Sequence, residues 1–329
     1  MRPLLATAAV VLALAALVTT APALVGLSTT AVVAHAVALR GASALGLLVL
    51  AAMAAVAALR RRGRDRPAAV VAGGLAVVLL ACAAVHVGVV LARGLEDQPP
   101  GAGADLVVVT LNAEVDGVTP AQLADLVESS GADVVALPET SLELATAMAR
   151  EVEERTGVAF AVFGEAVDER PIAATSLLVS ARRGEHERVP APELDLSAVA
   201  ARPVDGDGPL LVAVHPPPPI PGSFSMDRWA AQAATAASVC AAVPGAVVAG
   251  DLNATLDHAP LRDLGPCADA AASTGAAGLG TWPASAPALL GSPIDHVLVD
   301  ARAWEPLTTQ AVRVGDTDHR ALVVGLAAR

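Results

Sequence analysis

Several polar residues follow short apolar runs of the sequence, at positions where a strand would end. Asn112 and Glu139 lie in the first half of the chain, and His215 follows a later run. Carboxylate and amide oxygens are ligands that suit Mg²⁺, whereas histidine titrates near neutrality and can donate or accept a proton. Together these residue types could hold a divalent cation and transfer protons.

The second half of the chain adds further polar residues of the same kind. Asp251 and Asn253 follow an apolar run, Asp295 opens one, and the pair Asp318-His319 precedes the last one. Each of these signals is weak alone, because a Gly-Asp-x-Asn sequence is commonly a turn and a single histidine is more often structural. Their common position at strand boundaries is what indicates a site, since a rigid sheet can hold such groups together.

The elements that must position these residues alternate between β-branched runs and helical patterns, which predicts an α/β fold. The predicted strands are Asp105–Leu111, Asp133–Leu137, Ala159–Phe163, Ala174–Ser180, Leu210–Val214, Ala246–Ala249, Ile294–Val299 and Ala321–Leu326. The predicted helices are 120–130, which follows a capping box at Thr119, then Leu142–Thr156 and Ser225–Ala242. The segments Pro216–Pro219 and Ala268–Gly280 are predicted to be loops.

Four segments of this region resemble the endonuclease/exonuclease/phosphatase superfamily, which has the fold of deoxyribonuclease I. They are VVALPET at 134–140, VVAGDLNAT at 247–255, SPIDHVLVD at 292–300 and DTDHRAL at 316–322. The resemblance covers essentially all of residues 105–329. It implies a four-layer α/β sandwich and a metal-dependent phosphoric ester hydrolase that uses Mg²⁺, with Mn²⁺ as a possible substitute.

The resemblance also assigns roles to individual residues. Its metal ligands would be Asn112, Glu139 and Asp318. Its catalytic residues would be His215, Asp251, Asn253, Asp295 and His319. Asp251 would position or deprotonate the attacking water, Asn253 would bind a phosphate oxygen, and His319 would stabilise the phosphorus centre or carry a proton.

Two of these assignments concern histidines and their partners. Asp295 would fix the tautomer of His319, as a carboxylate behind a histidine does elsewhere, and His215 would hydrogen-bond the phosphate or the leaving oxygen. The sequence departs from the usual pattern at Pro138, His296 and Thr317, where the family commonly has glutamine, an aromatic residue and serine. None of these departures removes a group that the chemistry needs.

The first 95 residues have a different composition and are predicted to form a membrane region. Three uncharged apolar stretches predict transmembrane helices at about 4–27, 41–59 and 67–92, followed by a linker at 96–104 and the catalytic domain at 105–329. Five arginines lie between residues 60 and 66. The positive-inside rule puts that loop in the cytoplasm, so we expect a multi-pass protein of the cell membrane with an extracytoplasmic catalytic domain.

Several ionisable residues in and around the membrane region have more than one interpretation. His35 and Arg40 are expected at headgroup level, and His86 on a packed helix face, because none has an obvious partner in the sequence. Asp257-His258, just after the Asp251 segment, is interpreted as a helix-start cap, with a supporting role at the site as the alternative. The first apolar stretch could also be a cleaved signal peptide, since Thr20-Ala21-Pro22-Ala23 loosely resembles a cleavage site.

An extracytoplasmic location permits a disulfide, and Cys240 and Cys267 are the cysteines of the predicted catalytic domain. Free buried thiols are the alternative, and neither cysteine has a histidine at the spacing of a zinc site. Cys82 lies within the third apolar stretch and is expected to be inert.

Charge limits the substrate classes. The whole chain has a net charge of −12, and residues 1–100 contain eight arginines and three acidic residues, so residues 101–329 carry −17. Such a domain repels long polyanions, whose binding depends largely on Lys and Arg contacts to phosphate. Arg170, Arg182 and Arg183 are the local candidates for a phosphate clamp.

We therefore expect a phosphorylated small molecule or a lipid headgroup as substrate, with the bilayer as the other partner and no indication of a protein partner. An extracellular nuclease that acts on DNA or RNA is the first alternative. A non-catalytic module that binds a phosphorylated ligand is the second, and the full set of candidate site residues argues against it.

Overall fold

The computed structural model describes residues 2–164, 171–220 and 224–329. Its helices are α1 (Arg2–Thr20), α2 (Ala31–Ala38), α3 (Arg40–Arg61), α4 (Arg66–Ala92), α5 (Pro120–Ser130), α6 (Leu142–Thr156), α7 (Met226–Ala242), α8 (Ala259–Arg262) and α9 (Ala270–Ser273). Its strands are β1 (Leu106–Thr110), β2 (Val134–Pro138), β3 (Phe160–Gly164), β4 (Thr175–Ser180), β5 (His186–Val189), β6 (Ser197–Pro203), β7 (Leu211–His215), β8 (Val247–Asp251), β9 (Cys267–Asp269), β10 (Asp295–Asp300), β11 (Trp304–Arg313) and β12 (Arg320–Ala328).

Helices α1, α3 and α4 pack side by side around small and aliphatic side chains, among them Ala16, Ala51, Leu79 and Cys82. Their outer faces carry exposed large apolar residues, which is the pattern of helices that face lipid. Over the described residues, α3 and α4 are the two helices long and apolar enough to cross a membrane.

The prediction of three transmembrane helices is therefore wrong for the first stretch, expected at 4–27. Helix α1 ends at Thr20, and a short 3₁₀ turn, Pro22–Val25, follows it. Proline lacks the backbone N–H that a continuing helix needs, so α1 stops before Pro22 and the next α-helix, α2, begins only at Ala31. The predicted spans at 41–59 and 67–92 correspond to α3 and α4.

The strands of the described residues form two mixed sheets with six strands each. Their orders are β11-β12-β1-β2-β4-β3 in the first sheet and β5-β6-β7-β8-β10-β9 in the second. The strand pair β1 and β2 is parallel, as is β7 and β8, and the other pairs are antiparallel. Strands β5, β6, β9 and β11 were not predicted, and the predicted loop Ala268–Gly280 contains part of β9 and all of α9.

Alternation of side chains along the strands separates three apolar layers. In β1, Val107 and Val109 face α5 and α6, whereas Leu106 and Val108 face the second sheet, as the two-residue period of a strand requires. Helix α7 packs on the outer face of the second sheet through Trp229 and its neighbours. The order is helices, sheet, sheet, helix, which is consistent with the predicted α/β sandwich.

The N-terminal helices, predicted to form the membrane region, contact the sandwich directly. Ala34 of α2 is 1% exposed and belongs to the same apolar cluster as Trp229 of α7. Residues of the predicted linker bond along the sandwich as well, with the Gln98 N–H donating to the Thr309 carbonyl at 2.9 Å. At Gly41 of α3, a Cβ atom would lie 1.7 Å from the Leu289 carbonyl oxygen, so only glycine permits this close approach.

Candidate active site

The candidate site lies where strand ends of both sheets meet at one edge of the sandwich. Asn112 and Glu139 follow the parallel neighbours β1 and β2, so their side chains emerge at the same edge. In the second sheet, Asp251 at the end of β8 is paired in register with Asp295 at the start of β10. The position of His319 directly before β12 completes this edge, because β12 runs antiparallel to β1.

His319, Asp295 and Asp251 form a buried charged cluster. His319 Nδ1 lies 2.8 Å from Asp295 Oδ2, and His319 Nε2 lies 3.7 Å from Asp251 Oδ2. Although burial disfavours the imidazolium, the carboxylates of Asp295 and Asp251 outweigh it and raise the pKa of His319 to about 10. Burial and the Asp295 carboxylate raise the pKa of Asp251 to about 7.

Asn112 connects the carboxylates of Glu139 and Asp251 by hydrogen bonds. Its Nδ2 donates to Glu139 Oε1 at 3.0 Å and to Asp251 Oδ2 at 3.1 Å, while its Oδ1 accepts from the Glu114 N–H at 2.9 Å. Burial raises the pKa of Glu139 above its usual range. In this arrangement Asn112 orients Glu139 and Asp251, and its role as a metal ligand stays a prediction.

His215 lies between the same two carboxylates. Its Nε2 is 3.7 Å from Glu139 Oε1 and 3.8 Å from Asp251 Oδ2. Burial, with the positive charge of His319 as a smaller cause, lowers the pKa of His215 to about 3. His215 is therefore a neutral imidazole at physiological pH. It is suited to hydrogen bonding and not to acting as a cation.

Asn253 is held against Asp251 by its own backbone. Its N–H donates to Asp251 Oδ1 at 2.8 Å, and its side-chain Nδ2 donates to the Pro216 carbonyl at 3.1 Å. Both Asn253 and Glu139 have positive φ angles, 50° and 54°. Left-handed backbone at a residue other than glycine costs energy and is concentrated at functional sites.

The sequence analysis missed two residues that contact Asp318, namely Trp282 and Glu114. Asp318 Oδ2 accepts from Trp282 Nε1 at 2.7 Å, and the Asp318 N–H donates to Glu114 Oε2 at 2.9 Å. Trp282 is one of three tryptophans and lies in the segment before Asp295, which is a usable signal. Glu114 lies two residues after Asn112, but nothing in its local sequence separates it from a surface carboxylate.

A second histidine–carboxylate pair lies behind the site. His296 Nδ1 is 2.7 Å from Asp269 Oδ2, and His296 Nε2 is 2.9 Å from the Ala254 carbonyl oxygen. Burial opposes the charge, but two acceptors face the ring and raise the pKa of His296 above its usual range. The unusual residue at position 296 thus supports the segment that follows Asp251.

The donor set fits a divalent cation. Ligand atoms of Asp251, Asp295 and His319 lie within 4.8 Å of one another, and Glu139, Glu114 and Asp318 add carboxylates nearby. Hard oxygen donors and an excess of negative charge suit Mg²⁺. The 2.8 Å contact that joins His319 Nδ1 to Asp295 Oδ2 leaves His319 Nε2 and the oxygens of Asp251 as the atoms of this set that face the centre of the site.

Arg182 and Arg183, two of the arginines considered for a phosphate clamp, are not in this cluster. Arg182 donates to the carbonyls of Gly131 and Ala132, and Arg183 donates to the Asp133 carboxylate, at the start of β2 and therefore at the opposite end of the sheet. Arg170 lies outside the described residues. His258 is the N-cap residue of α8, as the cap interpretation predicted, but its side chain makes no cap hydrogen bond.

Comparison with known proteins gives the family. Residues 109–319 match the model of the Endonuclease/Exonuclease/phosphatase family, and this segment contains all eight predicted site residues. No curated protein matches the chain.

Two solved structures illustrate what this chain is similar to. An endonuclease/exonuclease/phosphatase from Beutenbergia cavernae is similar at 18% identity and a TM-score of 0.50, over 68% of this chain and 72% of that one. A mannosyl-6-phosphatase from Bacteroides thetaiotaomicron is 14% identical, with a TM-score of 0.47, over 68% and 100% of the two chains. The chain belongs to the endonuclease/exonuclease/phosphatase family, whose members hydrolyse phosphoester bonds.

Proposed function

We propose that the protein is a membrane-anchored, Mg²⁺-dependent phosphoester hydrolase whose catalytic domain lies outside the cytoplasmic membrane. The observation that carries this proposal is the buried set His319, Asp295 and Asp251, which faces Glu139 and His215 across a few ångströms. A carboxylate, a charged imidazole and a neutral imidazole at one edge can accept a proton, donate one and bind an anion.

Glu139, Asn112 and Asp318 would hold the metal ion. A bound divalent cation would supply positive charge for the phosphate oxygens during an in-line displacement. The mutual repulsion of the surrounding carboxylates favours such a cation, and Asn112 keeps Glu139 and Asp251 oriented toward the common centre.

The residues of the chain would divide the remaining work. Asp251 accepts the proton of the attacking water, and the amide of Asn253 donates to a phosphate oxygen. Asp295 fixes the His319 ring so that Nε2 faces the substrate, where it can donate to the developing negative charge. Neutral His215 hydrogen-bonds the phosphate or the leaving oxygen.

The orientation in the membrane follows from charge. The loop between α3 and α4 and the adjoining helix ends carry the arginine cluster of residues 60–66, which the positive-inside rule puts in the cytoplasm. The other ends of both helices, Arg40 and Arg93, contact the catalytic domain. A short connection to the bilayer keeps the site close to the outer leaflet, where phosphorylated lipid headgroups are concentrated.

Substrate class follows from the acidic domain. With a net charge of −17 over residues 101–329, long nucleic acids are disfavoured compared with lipid headgroups or small phosphate esters. A nuclease would show activity on plasmid DNA that falls steeply as salt is added, whereas hydrolysis of a small ester would change little.

The test uses the full-length protein in detergent with Mg²⁺. Hydrolysis is measured on bis-(p-nitrophenyl) phosphate, p-nitrophenyl phosphate, phospholipid vesicles and plasmid DNA. Asp251→Ala and His319→Ala should each lose at least ~10²-fold in kcat. The matched control is Arg302→Ala, which removes the arginine that pairs at 2.8 Å with the buried Asp300 at the opposite end of β10. Full activity of both site variants, or no turnover by the folded wild type, contradicts the proposal.

A further inference from the structure

The segment that presents Asp251 and Asn253 to the site continues through residues 251–258, which we name the β8 loop. Because Asn253 has left-handed backbone, this loop needs external contacts to keep its conformation. Two side chains of the catalytic domain bond to its carbonyl oxygens at 2.9 Å each. Trp229 Nε1 donates to Asn253, and His296 Nε2 reaches Ala254.

The second half of the β8 loop is held by His258. Its Nδ1 accepts from the Thr255 N–H at 2.8 Å, so the ring proton lies on Nε2 and donates to the Ala34 carbonyl oxygen at 3.1 Å. Burial lowers the pKa of His258 to about 4, which agrees with this neutral tautomer. The ring also packs edge-on against Trp229, with 4.9 Å between centroids. Ala34 belongs to α2, so a helix of the membrane region bonds directly to the β8 loop.

A buried ion pair strengthens the same junction. Arg40 donates from Nε and Nη2 to both oxygens of Asp257, at 2.7 and 2.6 Å, and Arg93 donates to Asp257 at 2.9 Å. The side chains of Arg40 and Asp257 are only 6% and 9% exposed. Although burial favours the neutral acid, the hydrogen bonds from Arg40 and the charge of Arg93 hold the pKa of Asp257 below its usual range.

The pair continues into the helices of the membrane region. Arg40 Nη1 lies 3.2 Å from His86 Nδ1, and His86 Nε2 lies 3.1 Å from Thr19 Oγ1. Helices α1, α3 and α4 are therefore connected through side chains to Asp257. A simple tether to the bilayer would need none of this, because a flexible linker would serve.

We propose that the membrane region is a positioning element of the active site: Arg40 and the Ala34 carbonyl hold Asp257 and His258, and through them the β8 loop that presents Asp251 and Asn253. This inference rests on the proposed function, because it concerns the same site. It makes Arg40, Asp257 and His258 positioning residues that touch no substrate. A small displacement of catalytic groups is costly, since about 1 Å of misplacement can reduce the rate about 10²-fold.

The experiment compares full-length variants in detergent at a temperature well below their melting transitions. Arg40→Ala, Asp257→Ala and His258→Ala are each expected to lower kcat for bis-(p-nitrophenyl) phosphate about 10-fold or more in the folded protein, with a smaller change in KM. The conservative variant Arg40→Lys should lie between wild type and Arg40→Ala, because it keeps the charge and loses the two-pronged contact. Arg302→Ala is the matched control and should keep its kcat.

A double-mutant cycle separates positioning from a purely structural role. If His258 acts by holding the β8 loop, then the losses of kcat caused by His258→Ala and Asn253→Ala should be clearly less than additive in the double variant. Additive losses in the cycle overturn the proposal, as does an unchanged kcat in the folded Arg40 and His258 variants. Should His258→Ala fail to fold, Ser28→Ala replaces it, since Ser28 Oγ accepts from the Ala259 N–H at 3.2 Å beside the loop.

The failure of the proposed function has a different signature. In that case the wild type shows no turnover, or Asp251→Ala retains full activity. An active wild type, an inactive Asp251→Ala and unaffected Arg40 and His258 variants overturn the positioning role alone.

Discussion

The strongest electrostatic feature of the site is the contact between a carboxylate and an imidazole in a nearly water-free position. Asp295 is 2% exposed and His319 is 5% exposed, and their facing atoms are 2.8 Å apart. At low effective dielectric such a pair stabilises the charged forms more than it would in water. It also leaves Nε2 as the ring nitrogen that faces Asp251. The charge on His319 therefore depends on its partner.

Asp295→Asn tests this dependence with almost no change of shape. Loss of the carboxylate should lower the pKa of His319 from about 10, so the alkaline limb of the pH–rate profile moves to lower pH. We expect kcat to fall about 10²-fold or more, because an amide permits the wrong tautomer. An alkaline limb at the wild-type pH would show that His319 is not the titrating group.

The metal should displace protons from the site. Without metal, the raised pKa of Asp251 means that the folded protein holds a proton that the unfolded chain loses above about pH 4, so this contribution to stability falls as pH rises to about 7. The raised pKa of His319 acts in the same direction, its contribution being complete below about 6.5 and lost as pH rises through about 10. Mg²⁺ binds the charged form of the carboxylates, so it binds better at higher pH. Its binding therefore offsets the stability that the metal-free protein loses as pH rises.

Mg²⁺ is therefore expected to raise the melting temperature more at about pH 8 than at about pH 6, and to release protons on binding. Calorimetric titration in buffers of different ionisation enthalpy measures that release. Asp251→Asn removes the titrating carboxylate and should reduce both effects. If Mg²⁺ raised the melting temperature equally at the two pH values and released no protons, it would not bind at the cluster that contains Asp251.

Individual residues differ in how far the sequence could predict them. Glu139, Asp251 and His319 are recognisable because each stands at a strand end within an ordered set of segments. Glu114 enters the site through its contacts to Asp318 and Asn112, and Trp282 through its contact to Asp318. No spacing rule predicts the contacts of Glu114, so that residue required the structure, whereas Trp282 gave a signal that the sequence analysis did not use.

At the scale of elements, the disulfide between Cys240 and Cys267 joins α7 to β9. It closes a loop with a sequence separation of 27, and the loss of chain entropy in the unfolded state predicts a stabilisation of about 3.5 kcal/mol. Reduction of the full-length protein should lower the free energy of unfolding by that amount in a denaturant titration. The double variant Cys240→Ala/Cys267→Ala is the control, since it should not respond to reductant. A wild type that responds no more than this variant would contradict the prediction.

Strands and helices with an apolar pattern in their own sequence were predictable. Strands that form only because they pair with a neighbouring strand were not. Strand β5 has the sequence His-Glu-Arg-Val and forms the edge of its sheet, where charged side chains prevent further pairing. Strand β11 contains Pro306 and pairs with β12 across a register shift, and an edge strand tolerates both features. The break after α1 was missed because hydropathy alone does not register the effect of Pro22.

At the scale of the whole molecule, the junction between membrane region and catalytic domain could not be predicted. Arg40 and Asp257 are 217 residues apart in sequence. Arg40 was expected at headgroup level without a partner, and Asp257 was interpreted as part of a helix-start cap. A charge that stands alone in the sequence can be fully paired after folding. Their pairing places the Arg40 end of α3 at the catalytic domain, beside the Arg93 end of α4. The α3–α4 loop lies at the other end of both helices, so the topology can be tested by labelling the two ends.

The two ends of this helix pair should face different compartments. Arg64 in the α3–α4 loop and Ala102 before β1 are both exposed. In a Cys82→Ala background, a membrane-impermeant maleimide should label Ala102→Cys in intact cells and Arg64→Cys only after permeabilisation. The physical reason is the arginine cluster at residues 60–66, which resists translocation across an energised membrane. The bonded Cys240 and Cys267 leave the background unreactive, so the Cys82→Ala protein without an added cysteine is the control. Labelling of Arg64→Cys in intact cells would indicate the opposite orientation, with the catalytic site in the cytoplasm.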